Sequence, residues 1–168
     1  MRTMAYSIRE GTALDAPAVA AIWLATQHEE HNEWPDEETL NEFARDAADP
    51  KKLFLVVDGS EEVIGLVVAI LAYDDDVPEQ LPPDVIHIAS IAMAPLFCGR
   101  GIGTALIRET MDRARALGCT RMQLWTHEAN HRAQRFYERL GFTPTGRSQA
   151  DNYDPQSLIV QYAASLCD

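Results

Sequence analysis

The stretch Gly99-Arg100-Gly101-Ile102-Gly103-Thr104 joins a predicted strand to a predicted helix. The strand is the apolar run Val85–Met93, and the helix is the amphipathic segment Ile102–Leu117. Three alternating glycines leave the start of this helix without side chains, so backbone N–H groups can approach an anion closely. The unpaired N–H groups and the positive end of the helix dipole favour a phosphate or pyrophosphate at this point.

Apolar patterns on either side of this stretch predict an alternation of strands and helices. The order is typical of a mixed α/β sheet with helices on both faces. No internal repeat or linker is found, so residues 1–168 are expected to form a single domain. The predicted strands are Met4–Arg9, Leu53–Val57, Val63–Ala72, Val85–Met93, Met122–Thr126, Phe142–Thr145 and Ser157–Tyr162, and the predicted helices are Leu14–Gln27, one opened by Asp36, Ile102–Leu117 and one capped by Asn130.

Composition excludes several classes of partner. A formal net charge of −12 argues against nucleic acid, which selects a basic surface. No apolar run approaches the ~20 residues of a membrane span, and no signal segment opens the chain, so a cytoplasmic protein without membrane contact is expected. The three cysteines form no CxxC pair, which predicts neither a disulfide framework nor a metal site.

Two common phosphate-binding motifs do not fit the glycine stretch. A P-loop is excluded because no Gly-Lys-Ser/Thr is present. A dinucleotide fingerprint has Thr104 where its third glycine would fall, although Glu128 could serve as the ribose ligand. A single βαβ unit this late in the chain leaves no second mononucleotide half, which argues against this alternative.

Two motifs together resemble those of the GNAT N-acetyltransferases. Residues 95–106, Pro-Leu-Phe-Cys-Gly-Arg-Gly-Ile-Gly-Thr-Ala-Leu, look like the acetyl-coenzyme A loop of that family. Residues 130–142 are similar to its signature Asn-x-x-Ala-x-x-Phe-Tyr-x-x-x-Gly-Phe. The resemblance covers roughly Ile86–Arg147, and it departs from the family at Cys98, where arginine or glutamine is usual.

The resemblance implies a GNAT-like fold, with a mostly antiparallel central sheet whose strands splay at the cofactor slot. Acetyl-coenzyme A would be the cosubstrate, with its pyrophosphate on the glycine loop and its pantetheine arm along the strand that ends at Met93. A backbone N–H near Met93 would polarise the acetyl carbonyl. The implied cofactor-binding residues are Ile91, Met93, Gly99, Arg100, Gly101, Ile102, Gly103, Thr104, Asn130 and Phe136.

The same resemblance makes Tyr137 the general acid that protonates the leaving thiolate. A base for the attacking amine is less well defined. His87 is one candidate, in phase with Ile91 and Met93 if no bulge intervenes, and its ordinary pKa lies near neutrality. Rival candidates for the base lie between the first two helices, where they would border the acceptor: Glu29, Glu30 and Glu33. Trp34 in the same segment could pack against an apolar acceptor.

The expected function is acetyl transfer from acetyl-coenzyme A to a primary amine, by direct attack in a ternary complex and without a metal. The acceptor is a small-molecule or peptide amine, and the acidic segment 29–49 favours a cationic one. The alternative is a non-catalytic module that binds or senses a coenzyme A ester. Dimers are common among such proteins, so a homodimer is one expectation and the oligomeric state stays open.

Overall fold

The fold comes from a computed structural model that describes residues 4–27, 36–71, 82–152 and 154–168. The described residues form seven strands and four α-helices. The strands are β1 Ser7–Glu10, β2 Lys52–Asp58, β3 Val63–Leu71, β4 Val85–Met93, β5 Arg121–His127, β6 Thr143–Ala150 and β7 Leu158–Ser165. The helices are α1 Ala16–Gln27, α2 Glu37–Ala48, α3 Ile102–Ala116 and α4 His131–Arg139.

All seven strands belong to one sheet, in the order β1-β2-β3-β4-β5-β7-β6. Neighbouring strands pair antiparallel except β4 and β5, which are parallel. This pairing confirms the predicted mixed, mostly antiparallel sheet. The element order also agrees with the prediction, although β1 begins at Ser7 and β6 continues to Ala150.

Helices cover both faces of the sheet, as predicted. One core lies under α3, where Ile102, Leu106 and Ile107 are almost fully buried against the sheet. The other lies under α1 and α2, which contribute Val19 and Phe43. Strands β2 and β3 lie between these cores, so their side chains are buried on both faces, which explains their continuous apolar sequences.

Strands β4 and β5 pair only over Val85–Ile88 and Arg121–Leu124. Beyond these residues β4 continues to Met93 and β5 to His127 without pairing to each other. The separation leaves a gap in the middle of the sheet, in agreement with the predicted splay. Backbone groups of β4 that face this gap form a free strand edge, which an extended ligand can pair with.

A bulge in β4 changes which side chains share a face. Ile88 pairs with Ala69, but the next pair is Ser90 with Val68, so Ala89 is skipped. Ile88 therefore faces the α3 core together with Ile91, although their numbers differ by three. Without a bulge, His87 was expected to share a face of the sheet with Ile91 and Met93. This expectation is wrong, because the extra residue puts His87 on the opposite face.

Caps and glycines set the helix ends near the gap. Asn130 caps α4, since its side-chain oxygen accepts a hydrogen bond from the Ala133 N–H at 3.1 Å. Helix α3 begins after Gly101, which has a φ of 81°. No helix within the described ranges is long and apolar enough to cross a membrane.

Candidate functional site

A cleft of about 520 Å³ lies where the gap between β4 and β5 meets the start of α3. Helix α4 forms its opposite wall. The lining residues are Thr26, Ile91, Ala92, Met93, Phe97, Cys98, Gly99, Gly101, Gly103, Thr104, Asn130, Arg132, Ala133, Phe136, Tyr137 and Arg139. The cleft therefore brings together most residues that the sequence predicts to bind a cofactor.

The glycine turn forms the phosphate-binding end of the cleft. Gly99 and Gly101 have φ values of 75° and 81°, a region that disfavours other residues, and a Cβ on either would meet no atom within 4 Å. The turn therefore leaves open space against the first N–H groups of α3. The N-cap residue of this helix, Gly101, has no side chain to occupy these donors, which can therefore bind an anion.

Two of the predicted cofactor residues do not line the cleft. The side chain of Ile102 is 2% exposed and packs in the α3 core, so only its backbone can contribute. Arg100 lies over the Phe97 ring at 5.6 Å, and Phe97 in turn lines the cleft. The guanidinium of Arg100 is therefore next to the cleft wall rather than part of it.

Two arginines of α4 that were not among the predicted site residues line the cleft. Arg132 and Arg139 are seven residues apart with Phe136 between them, so all three share one helix face. They bring positive charge to a cleft in a chain of net charge −12. The spacing i, i+4, i+7 on the predicted helix was the signal that could have identified them.

Cys98 occupies the first position of the glycine turn. Its thiol lies 3.7 Å from the Ala94 carbonyl oxygen and 3.9 Å from that of Met93. These contacts direct the sulfur toward the backbone of its own turn, where a thiol is only a weak donor. The turn keeps its shape without a polar side chain at this position.

Tyr137 lies at the inner end of the cleft, 8% exposed. Its ring makes edge contacts with Phe136 and Phe142 at centroid distances of 5.2 and 5.6 Å, which hold it in place. Burial raises the pKa of Tyr137 to about 12. The phenol therefore keeps its proton throughout the neutral range and can donate it as a hydrogen bond to a developing anion.

His87 pairs with Gln123 of β5 and is mostly buried on the face away from α3. Its Nδ1 is buried and has no hydrogen-bond partner. Burial lowers the pKa of His87 to about 4, so the ring is neutral at pH 7. A neutral ring can accept a proton, but this pKa makes it a weak base for an ammonium group, and its catalytic role stays a prediction.

The buried His87 predicts a specific acid sensitivity. Between pH 6.5 and 4 the unfolded chain binds a proton that the folded chain excludes, so stability falls as the pH falls through this window. When the pH falls from 7 to 5, we expect the free energy of unfolding of the wild type to decrease by about 2 kcal/mol more than that of His87→Leu. The variant has no titrating group at position 87. Urea unfolding of both proteins at the two pH values measures this difference. Equal losses would contradict it.

The other predicted acceptor residues, Glu29, Glu30, Glu33 and Trp34, lie outside the described residues. Among those described, no group of three His, Cys, Asp or Glu side chains could hold a metal ion. A second concavity of about 580 Å³ lies at the start of β5 and the end of β7 and shares no lining residue with the cleft.

Known proteins match both the sequence and the fold. The model of the acetyltransferase (GNAT) family matches residues 17–142. An uncharacterized N-acetyltransferase of Methanocaldococcus jannaschii is 34% identical over 89 residues, which cover 53% of this chain and 38% of that relative. Among the first curated relatives, the matching part spans 38% to 61% of their own length.

Solved structures share the fold over almost the whole chain. A putative acetyltransferase from Salmonella typhimurium, solved with its cofactor acetyl-CoA, has a TM-score of 0.75 at 21% identity and covers 97% of this chain and 95% of its own. The ribosomal-protein-S18-alanine N-acetyltransferase from Escherichia coli has a TM-score of 0.73 at 17% identity, covering 98% and 96%. With three quarters of its length matched by the family model, this chain belongs to the acetyltransferase (GNAT) family.

Proposed function

We propose that this chain transfers the acetyl group of acetyl-coenzyme A to a primary amine. The observation that carries the proposal is one cleft with an uncapped helix N-terminus at one end and a protonated tyrosine at the other. The first suits a pyrophosphate and the second suits a departing thiolate. The free edge of β4 lies between them and suits the amide-bearing pantetheine arm.

The geometry of the cleft fits coenzyme A. Open space at Gly101 allows phosphate oxygens to reach the first N–H groups of α3, and Arg132 and Arg139 add positive charge. The pantetheine arm would follow Ile91 and Met93, with Asn130 and Phe136 on the facing wall. A Cβ at Gly65 would collide with the sulfur of Met93, so this glycine helps to hold the end of β4 in its position.

The reaction is direct attack in a ternary complex. The neutral amine attacks the carbonyl carbon of the thioester, a C–N bond forms, the C–S bond breaks, and the sulfur leaves with the electron pair. Tyr137 donates its proton to that sulfur, and the proton lost by the amine passes to water or to a base such as His87. A backbone N–H near Met93 would stabilise negative charge on the carbonyl oxygen.

The cores under α3 and under α1 and α2 lie on the two faces of the same sheet, which supports a single domain over residues 1–168. The expected homodimer stays a prediction that light scattering would test. The acceptor of the Escherichia coli structure is a ribosomal protein, but at 17% identity that likeness concerns the fold alone.

Release of free thiol from acetyl-coenzyme A, followed with a panel of amines, tests this proposal. The panel contains amino acids, aryl-alkyl amines, polyamines and short peptides, and a thermal shift records cofactor binding in parallel. We expect acetyl-coenzyme A to stabilise the fold, and thiol release to require an amine. Stabilisation without release from any amine would instead support the non-catalytic binding module.

A further inference from the structure

The cleft crosses the gap and reaches the second face of the sheet. Ile91 and Tyr137 line it on the side of α3, whereas Ala92 faces the core under α1, and Thr26 belongs to α1 itself. In the proposed function the pantetheine arm and Tyr137 occupy the α3 side. An acceptor amine therefore has to approach the thioester from the opposite side of the sheet.

The pairing register identifies the side chains on that opposite side. Met122 and Leu124 of β5 face the α3 core, so Gln123 and Trp125 face the other way. Trp125 pairs with Gln161 of β7, directly beside the point where β4 leaves β5. We call His87, Gln123, Trp125, Thr145 and Gln161 the acceptor face.

Both buried side-chain polar atoms without a partner in the described part of the chain lie on this face. They are Nδ1 of His87 and Nε2 of Gln161. Gln161 is only 3% exposed, and its Oε1 accepts a hydrogen bond from the Thr145 hydroxyl at 2.9 Å. With Oε1 on Thr145, Nε2 presents two N–H donors for which the described residues supply no acceptor.

An arginine brings its guanidinium group to this face. The Arg147 guanidinium lies over the Trp125 ring at 5.8 Å. Amide N–H donors beside a guanidinium and an aromatic ring suit a carboxylate on a compact organic molecule.

Resting on the proposed function, we infer that the acceptor is an amine that carries a carboxylate, held on the acceptor face by the Gln161 amide. Gln161 contributes to specificity and takes no part in proton transfer. The proposal differs from the cationic acceptor that the acidic segment 29–49 favours by composition. It names the substrate class as amino-acid-like rather than polyamine.

Matched amines test this inference: tyrosine with tyramine, histidine with histamine, and phenylalanine with phenethylamine. Thiol release gives KM and kcat for each amine with the wild-type protein and with Gln161→Met, which keeps the length of the side chain without its amide. We expect KM for the carboxylated members to rise about tenfold or more, and KM for the decarboxylated members to change by less than about twofold. Because the KM of each amine is compared between the two proteins, differences in pKa between the amines cancel.

Two further variants separate specificity from folding. Gln161→Glu places a carboxylate where the N–H donors were, so it should reverse the preference within each pair, while Gln149→Glu makes the same charge change at an exposed position of β6 and should not. Gln161→Met removes the unpartnered Nε2 group together with the hydrogen bond from Thr145, so its melting temperature should stay close to that of the wild type. A purely structural glutamine would instead lose stability without changing the preference.

The outcomes distinguish the inference from the proposed function. If amines support thiol release but the wild type prefers the decarboxylated members, the carboxylate site is wrong and acetyl transfer stands. The same conclusion follows if Gln161→Met affects both members of a pair equally, because an internal water would then satisfy the amide. If no amine supports thiol release, the proposed function fails and this inference fails with it.

Discussion

Replacement of Tyr137 by phenylalanine is expected to lower kcat by about a hundredfold or more. The variant keeps the ring contacts with Phe136 and Phe142, so the cleft should keep its shape. The variant lacks the phenol proton. In the wild type the phenol keeps that proton at neutral pH, because burial raises the pKa of Tyr137 to about 12. Without that donor the thiolate has to leave unprotonated or take a proton from water. The dissociation constant of acetyl-coenzyme A should stay within about twofold, since ring and backbone contacts remain.

Tyr162→Phe is the matched control for this prediction. Tyr162 is also buried, and its hydroxyl donates a hydrogen bond to Glu138 at 3.2 Å, but it does not line the cleft. Single-turnover acetyl transfer, measured by quenched flow, separates the chemical step from product release. A Tyr137→Phe rate equal to that of Tyr162→Phe would show that Tyr137 supplies no proton to the thiolate.

Replacement of Gly101 by aspartate is expected to weaken acetyl-coenzyme A binding by about a hundredfold. The aspartate would enter open space beside the first N–H groups of α3, and its charge would repel the pyrophosphate. Loss of two hydrogen bonds to a charged group corresponds to roughly 3 kcal/mol, or about two orders of magnitude in the dissociation constant. Isothermal titration calorimetry measures the change.

Gly118→Asp is the control for Gly101→Asp. Gly118 has a φ of 88°, and a Cβ there also meets no atom within 4 Å, so both substitutions impose similar backbone strain. Gly118 follows the far end of α3, outside the cleft. Unchanged binding in Gly118→Asp with weak binding in Gly101→Asp would locate the phosphate at the glycine turn. Equal weakening would attribute the effect to strain.

The elements that frame the cleft could be predicted because their signals are local. β4 was predicted with its observed bounds, since Val85–Met93 is apolar and rich in β-branched residues. Helix α3 was predicted to begin at Ile102, where the glycine turn ends and the helical periodicity starts. The cap on α4 could be predicted from Asn130, because an asparagine side chain can accept a hydrogen bond from a backbone N–H in the first turn of a helix.

The face of His87 could not be predicted, because it depends on a distant part of the chain. Residues of β4 on both faces are apolar, so their pattern does not encode the bulge at Ala89. That bulge exists only in the pairing with β3, through Val68 and Ala69. Gln161 was missed for another reason. It lies in an apolar closing strand, where its polar side chain is the only local sign of a different role.

A crystal structure of the protein with acetyl-coenzyme A tests the central claim most directly. We expect the pyrophosphate against the backbone N–H groups of Gly101–Thr104, and the thioester sulfur in the gap between β4 and β5, within hydrogen-bonding distance of the Tyr137 hydroxyl. Coenzyme A bound instead in the concavity at the start of β5 and the end of β7, or a thioester remote from Tyr137, would contradict the proposed function.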